Sequence, residues 1–303
     1  MKEIKKITGE EAKQPLPLGM SWHSFKMIDI GKQKILCRST VLPPDDMIIK
    51  KLSANEFLDK RTGEVREFQV NDKRTDNRYQ LMKTFADARN IINYNIQEPE
   101  KVMFLTLTYR ENVQDTEKVR RDFDNFRRAF LKPTYGQHEY ITAMEPQGRG
   151  AWHLHVLLIF RDKLPYFDAK IVRKAWGKGA IRLERIDSVE NAGAYLSAYL
   201  TDTYNENEHM REKHARLSKY PKQCHIFRWS KGIKKPPETR ISQTEFEALL
   251  QNASVQYQTC FSVTEKSDDT ERIFTVYNQR IFIKAEAAYT TTREKGELQY
   301  YSL

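Results

Sequence analysis

Two histidines separated by a single residue, His153 and His155, are the first feature of this 303-residue chain that could do chemistry. Residues two apart on a β-strand project from the same face, so both imidazoles can reach one metal ion. The segment PQGRGA lies just before them, and its two glycines suit a tight reversal between antiparallel strands. With that turn centred on Arg149, Glu145 falls opposite His153, and cross-strand partners point to the same side with Cβ atoms about 5 Å apart. Glu145, His153 and His155 then form a three-ligand face. Two imidazoles and a carboxylate suit Mg²⁺, Mn²⁺ or Zn²⁺, and three ligands leave coordination positions for substrate oxygens. A pair of strand histidines is also an ordinary hydrogen-bonded feature, and a register slip of one residue would turn Glu145 away. A second pair, Tyr195 and Tyr199 in AGAYLSAYLTD, lies four apart on a predicted helix and so on one face. It reads either as aromatic packing or as a nucleophile toward phosphorus. The second role needs a metal or base to assist loss of the phenol proton, whose reference pKa is about 10.

The surrounding pattern supplies elements able to position these groups. VMFLTLTY (Val102 to Tyr109) is rich in β-branched and aromatic residues, and its alternation puts Phe104, Thr106 and Thr108 on one face of a strand. Asp115 or Thr116 caps a helix to about Leu131 with the apolar stripe Val119, Phe123, Phe126 and Phe130. Glu139 to Met144 and Trp152 to Phe160 are the hairpin strands. A helix from Asp168 to Trp176 follows, then a strand from Ala180 to Ile186, then a helix opened by Asp187 and Glu190 and running through about Leu200. An amphipathic helix over Tyr79 to Tyr94 precedes them. The order predicts an α+β fold, a mainly antiparallel, ferredoxin-like sheet with flanking helices.

Composition bounds the partners. A formal charge of +10 and a pI near 9.3 favour a polyanion. The surplus is uneven, +13 over residues 1–236 against −3 over 237–303. The longest purely apolar run, Val156 to Phe160, is far short of the roughly 20 residues that span a bilayer, so a membrane is not expected among the partners. The N-terminus lacks the apolar segment of a secretory signal, and a cytoplasmic location is expected. Cys37, Cys224 and Cys260 are too scattered for a zinc pair or a disulfide framework and read as buried thiols. Lys219, Lys222, Arg228, Trp229, Lys231, Lys234 and Lys235 interleave cations with an aromatic, a composition suited to tracking a phosphate backbone while bases stack on rings. Arg149, at the hairpin tip, joins this candidate DNA-binding set. The prolines at 236 and 237 mark a boundary, giving an N-terminal extension (1–75), a central domain (76–237) and a small C-terminal α+β appendage (238–303).

The runs FLTLTY, EPQGRGAWHLHVLL and AYLSAYLTD, in that order, resemble the three motifs of the HUH endonuclease superfamily, in particular the rolling-circle replication initiators of bacteria, phages and plasmids. The likeness spans about Arg78 to Pro237. It implies an enzyme in which His153, His155 and Glu145 hold Mg²⁺ or Mn²⁺ against a phosphate of single-stranded or hairpin origin DNA. Tyr195, or Tyr199 after it, would attack phosphorus, leaving a 5′-phosphotyrosine and a free 3′-OH for a host polymerase, with a host helicase as a further partner. Many members carry Lys three residues after each tyrosine; this chain has Ala198 and Asp202. Lys174, Lys178 and Arg182 are possible substitutes. Relaxases of the superfamily usually carry a third histidine and often an N-terminal tyrosine, so the tyrosines downstream of the histidines point to an initiator or transposase. Two other classes remain open: an origin-binding or repressor protein without turnover, and a metallohydrolase using a metal-bound water. The terminal segments read as origin recognition, oligomerisation, helicase contact or simple bracing.

Overall fold

The computed structural model describes residues 2–8, 16–41, 49–53, 55–60, 62–67, 78–147, 150–186, 220, 224–266, 273–285, 291–294 and 297–300. The architecture is α+β, and all the described strand pairs are antiparallel. The chain divides into two compact units, Asn71–Lys235 and a unit built from Met1–Val70 with Pro236–Leu303.

Within the Asn71–Lys235 unit the strands are β1 (Val102–Thr108), β2 (His138–Pro146), β3 (Trp152–Phe160), β4 (Ile181–Arg185) and β5 (Phe227–Trp229), arranged β4-β1-β3-β2-β5. The helices are α1 (Arg78–Asn95), α2 (Thr116–Phe126) and α3 (Ala169–Trp176). Their ends follow from side-chain chemistry. Asp115 caps α2 by accepting from Glu117 N, and Asp168 caps α3 by accepting from Lys170 N and Ile171 N. Gly177 stops α3 at φ 64°, a left-handed cap that glycine adopts without Cβ strain. The helix begun by α2 runs further than its apolar stripe suggests, through a π-helical turn (Arg127–Leu131) into a last α turn (Lys132–Tyr135).

The stripe of α2, Val119, Phe123 and Phe126, is fully buried. Phe123 meets Tyr140 of β2 edge-on at 5.2 Å between centroids, and it lines one pocket with Thr142, Met144 and Leu154. That sheet face is therefore the covered one, and by strand alternation Glu145, His153 and His155 lie on the other. Helix α1 packs on this second face further along, where Phe85 meets Phe227 edge-on at 5.9 Å. The core is continuous, with Leu105, Leu107, Val156, Leu158 and Val172 among its fully buried members.

The other unit draws on both ends of the chain. Its six-stranded sheet orders Lys2–Thr8, Ala253–Lys266, Ile273–Ala285, Lys34–Ser39, Ser24–Asp29 and Glu238–Arg240. Helix α4 (Gln243–Gln251) opens on a capping box of Ser242 and Glu245 and buries Phe246 against Leu36, Ile281 and Ile283. The two short strand-like runs of the sequence, 272–277 and 280–284, are one strand, Ile273–Ala285. A three-stranded and a two-stranded sheet complete the described strands. The three cysteines are buried and free. No described helix is long and apolar enough to cross a membrane.

One contact fixes the end of β1 beside the histidine face. Thr108 N donates to Ala180 O at 2.9 Å, Arg110 N to Lys178 O at 2.8 Å, and Trp176 Nε1 to Thr108 O at 3.1 Å. A Cβ on Gly179 would collide with Thr108 O and sit 2.8 Å from Arg110 N, so only glycine lets the connector lie this close. Gly179→Ala is expected to lower stability by about 1–3 kcal/mol, read as a fall in the thermal unfolding midpoint; an unchanged midpoint would show that the connector gives way freely.

Candidate metal centre

The hairpin that brings the three ligands together is set by its turn. Gln147 N donates to Ala151 O at 2.7 Å and Gly150 N to Gln147 O at 2.9 Å, with Gly150 at φ 94°. From this closure the register runs Pro146 to Trp152, Glu145 to His153, and Ala143 to His155. On its other edge β3 pairs Thr108 with His153 and Thr106 with His155. One face of three adjacent strands thus carries Glu145, His153, His155, Thr106 and Thr108, in the arrangement that alternation and the turn predict.

The three ligand atoms lie within 4.8 Å of one another. Glu145 Oε2 and His155 Nε2 are 2.8 Å apart, close to the 3 Å or so expected for two ligands about 2.1 Å from one ion at right angles. Two nitrogens and one carboxylate oxygen form a donor set that imidazole-binding and oxygen-binding divalent ions both accept. The group therefore fits a metal ion. His155 is buried, stacks on Phe104 at 5.7 Å and 17° between planes, and places Nδ1 3.2 Å from Thr106 Oγ1. The alternation of FLTLTY puts both Phe104 and Thr106 on this face, although their contacts with the ring cannot be read from the sequence.

The other candidates fall in different places. Trp229 pairs with Ile141, which shares the face of Glu145 four residues along β2, and is partly exposed. Arg228 points to the opposite face, where its guanidinium meets Asp124 at 3.5 Å. Lys231, Lys234 and Lys235 are exposed on a loop tied down at both ends. Asn95 brackets Lys234 through its N and O at 2.9 and 2.7 Å, and Gly232 N donates to Glu139 at 3.2 Å. Arg182 pairs across strands with Thr106 and so shares the histidine face, where it also meets Glu184. Lys178 is engaged with Asp122 at 3.2 Å. Tyr195, Tyr199, Arg149, Lys219 and Lys222 lie outside the described residues.

A polar cluster that the sequence reading did not single out sits where β1 ends. Tyr109 donates to Asp122 at 3.0 Å, and Lys118 and Lys178 reach the same carboxylate at 2.9 and 3.2 Å. Burial, the Asp122 charge and that hydrogen bond push the Tyr109 phenol far above its ordinary value. For Asp122, burial favours the protonated form, but the hydrogen bonds from Lys118, Lys178 and Tyr109 together outweigh it and hold the carboxyl below the usual range. Only the i,i+4 spacing of Lys118 and Asp122 was visible beforehand.

Residues 102–204 match the family model of the replication-associated protein ORF2/gene-2 protein. The match opens on the first residue of β1, takes in all three ligands, runs on through Tyr195 and Tyr199, and covers about a third of the chain. It ties this stretch to a family named for its association with replication. No curated protein and no solved structure matches the chain.

Two outcomes follow from this geometry. Calorimetric titration with Mn²⁺ should show binding that Glu145→Ala, His153→Ala and His155→Ala each weaken by at least about tenfold; equal binding in all three would remove the group from consideration. For Asp122, a depressed pKa means a stabilising contribution fully present above about pH 4 and lost as pH falls further. Asp122→Asn should cost about 1.5–3 kcal/mol at pH 7, with the gap to wild type closing below pH 4 in urea unfolding; a gap independent of pH would contradict the charge assignment.

Proposed function

We propose that this chain nicks and rejoins single-stranded DNA at a rolling-circle replication origin by tyrosine transesterification. The observation that carries this reading is the Glu145, His153 and His155 group, assembled on one sheet face inside the stretch that matches a replication-associated family. A Mg²⁺ or Mn²⁺ ion held by these three residues would polarise the scissile phosphate and stabilise charge developing on its oxygens.

The remaining steps belong to the chain. Tyr195 is the first candidate nucleophile and Tyr199 the second. The phenolic oxygen bonds to phosphorus as the bond from phosphorus to the 3′-oxygen breaks. The phenol loses its proton and the departing 3′-oxygen takes one up, so the step is balanced in charge and protons. The product is a 5′-phosphotyrosine and a free 3′-OH that a host polymerase can extend behind a host helicase. Attack by a 3′-OH on the phosphotyrosine reverses the step and rejoins the strand, and the energy of the phosphodiester is retained, so no nucleotide is consumed. Arg182, on the histidine face, is a cation available to the strand in place of the lysines absent at 198 and 202. Trp229 offers a ring for base stacking, and Arg149, Lys219, Lys222, Arg228, Lys231, Lys234 and Lys235 supply charge for the phosphate backbone.

The test is incubation of the full chain with labelled single-stranded and hairpin oligonucleotides containing the cognate origin and Mn²⁺, followed by denaturing electrophoresis. A denaturation-resistant adduct, lost in Tyr195→Phe or Tyr199→Phe, is the expected result and names the nucleophile. Cleavage without an adduct would instead assign a water-using metallohydrolase. Binding without cleavage would assign an origin-binding protein.

A further inference from the structure

We propose that Thr106 is a positioning residue that allows His155 to trade a proton for a metal ion, because its hydroxyl can serve either tautomer of the ring. This rests on the metal reading of the Glu145, His153 and His155 group and extends it to a residue outside the ligand set.

The two ring nitrogens of His155 face two different partners. Nε2 lies 2.8 Å from Glu145 Oε2, and a carboxylate accepts only, so in the metal-free arrangement Nε2 carries the hydrogen and donates it. Nδ1 is then bare and accepts from the Thr106 hydroxyl at 3.2 Å. Ligation by Nε2 requires that nitrogen to be bare, which moves the hydrogen of the neutral ring to Nδ1. No proton is gained or lost in that change. The partner of Nδ1 must now accept where it donated before, and a hydroxyl does so by rotating about one bond, since it holds a donor and lone pairs at one position. A backbone N–H, a carbonyl or an aliphatic side chain at this place serves one tautomer or neither.

The surroundings leave this role to Thr106. His155 is only 3% exposed, so solvent has little access with which to replace the hydroxyl. Phe104 stacks on the imidazole and holds its plane. Thr106 and His155 are direct partners across β1 and β3, so their separation is fixed by the ladder itself. A metal-bound histidine commonly donates its second N–H to an oxygen that fixes its tautomer; here that oxygen already stands in place.

The test uses the full chain labelled with ¹⁵N at histidine. Long-range ¹H–¹⁵N correlation should find His155 protonated at Nε2 without metal and at Nδ1 after addition of Mg²⁺. Calorimetry with Mn²⁺ should find Thr106→Val, which keeps the shape and removes the hydroxyl, about tenfold weaker, and Thr106→Ser close to wild type. A ring already protonated at Nδ1 without metal overturns the exchange. Equal affinity in Thr106→Val, or a serine variant as weak as the valine one, overturns the hydroxyl's role while leaving the metal centre intact. A wild-type chain that binds neither ion overturns both. Should Thr106→Val fail to fold by circular dichroism, the tautomer change in the wild type and the behaviour of Thr106→Ser decide.

Discussion

Everything at the candidate centre depends on the register of one hairpin. The pairing of Gln147 with Ala151 across a turn ending in Gly150 places Glu145 against His153. Because side chains alternate with period two, a slip of one residue would carry Glu145 to the face covered by α2 and break up the ligand set. Register is held firmly where one face is apolar, and here Met144, Leu154, Val156 and Leu158 are buried on the side opposite the histidines. A slip would have to expose these residues and bury a carboxylate in their place. The apolar face thus fixes the polar one.

The polar face carries its own cost. His155 and Thr142 are buried polar residues in an otherwise apolar sheet, and a buried donor or acceptor left unpaired costs about 1–3 kcal/mol. The structure meets this with local partners. His155 lies between Glu145 and Thr106, and the Thr142 hydroxyl donates to Arg228 O at 3.3 Å. At the end of β1 the same logic gathers Tyr109, Lys118 and Lys178 around Asp122. These networks sit on either side of Thr108, whose backbone is clamped by the connector at Gly179 and Ala180. Replication chemistry, on the reading proposed here, is therefore built on a rigid sheet.

How much of this was legible in advance depended on the range of the interactions. The ligand face was legible because it is local: a two-residue period, a glycine turn and a short hairpin suffice to put Glu145, His153 and His155 together. Helices α2 and α3 were legible from the caps Asp115 and Asp168 and their apolar stripes. The terminal sheet was not, because Lys2–Thr8 pairs with Ala253–Lys266 and Lys34–Ser39 with Ile273–Ala285, partners more than two hundred positions apart with no short-range signal. The basic run at 228–235 was legible as composition but not as geometry. Alternation on β5 sends Arg228 and Trp229 to opposite faces, which a tally of cations and rings ignores. The ring contacts of Phe104 and Thr106 needed the folded structure, since sequence gives the face and not the rotamer.

The central claim is that Glu145, His153 and His155 act together as one metal centre. Pulsed electron paramagnetic resonance of Mn²⁺ bound to the full chain tests it most directly, because directly coordinated nitrogens modulate the electron spin echo. Two imidazole nitrogens on a single bound ion are the predicted result. A bound Mn²⁺ with no nitrogen in its coordination sphere would contradict the account, since the ion would then sit elsewhere and the histidine face would serve only the sheet.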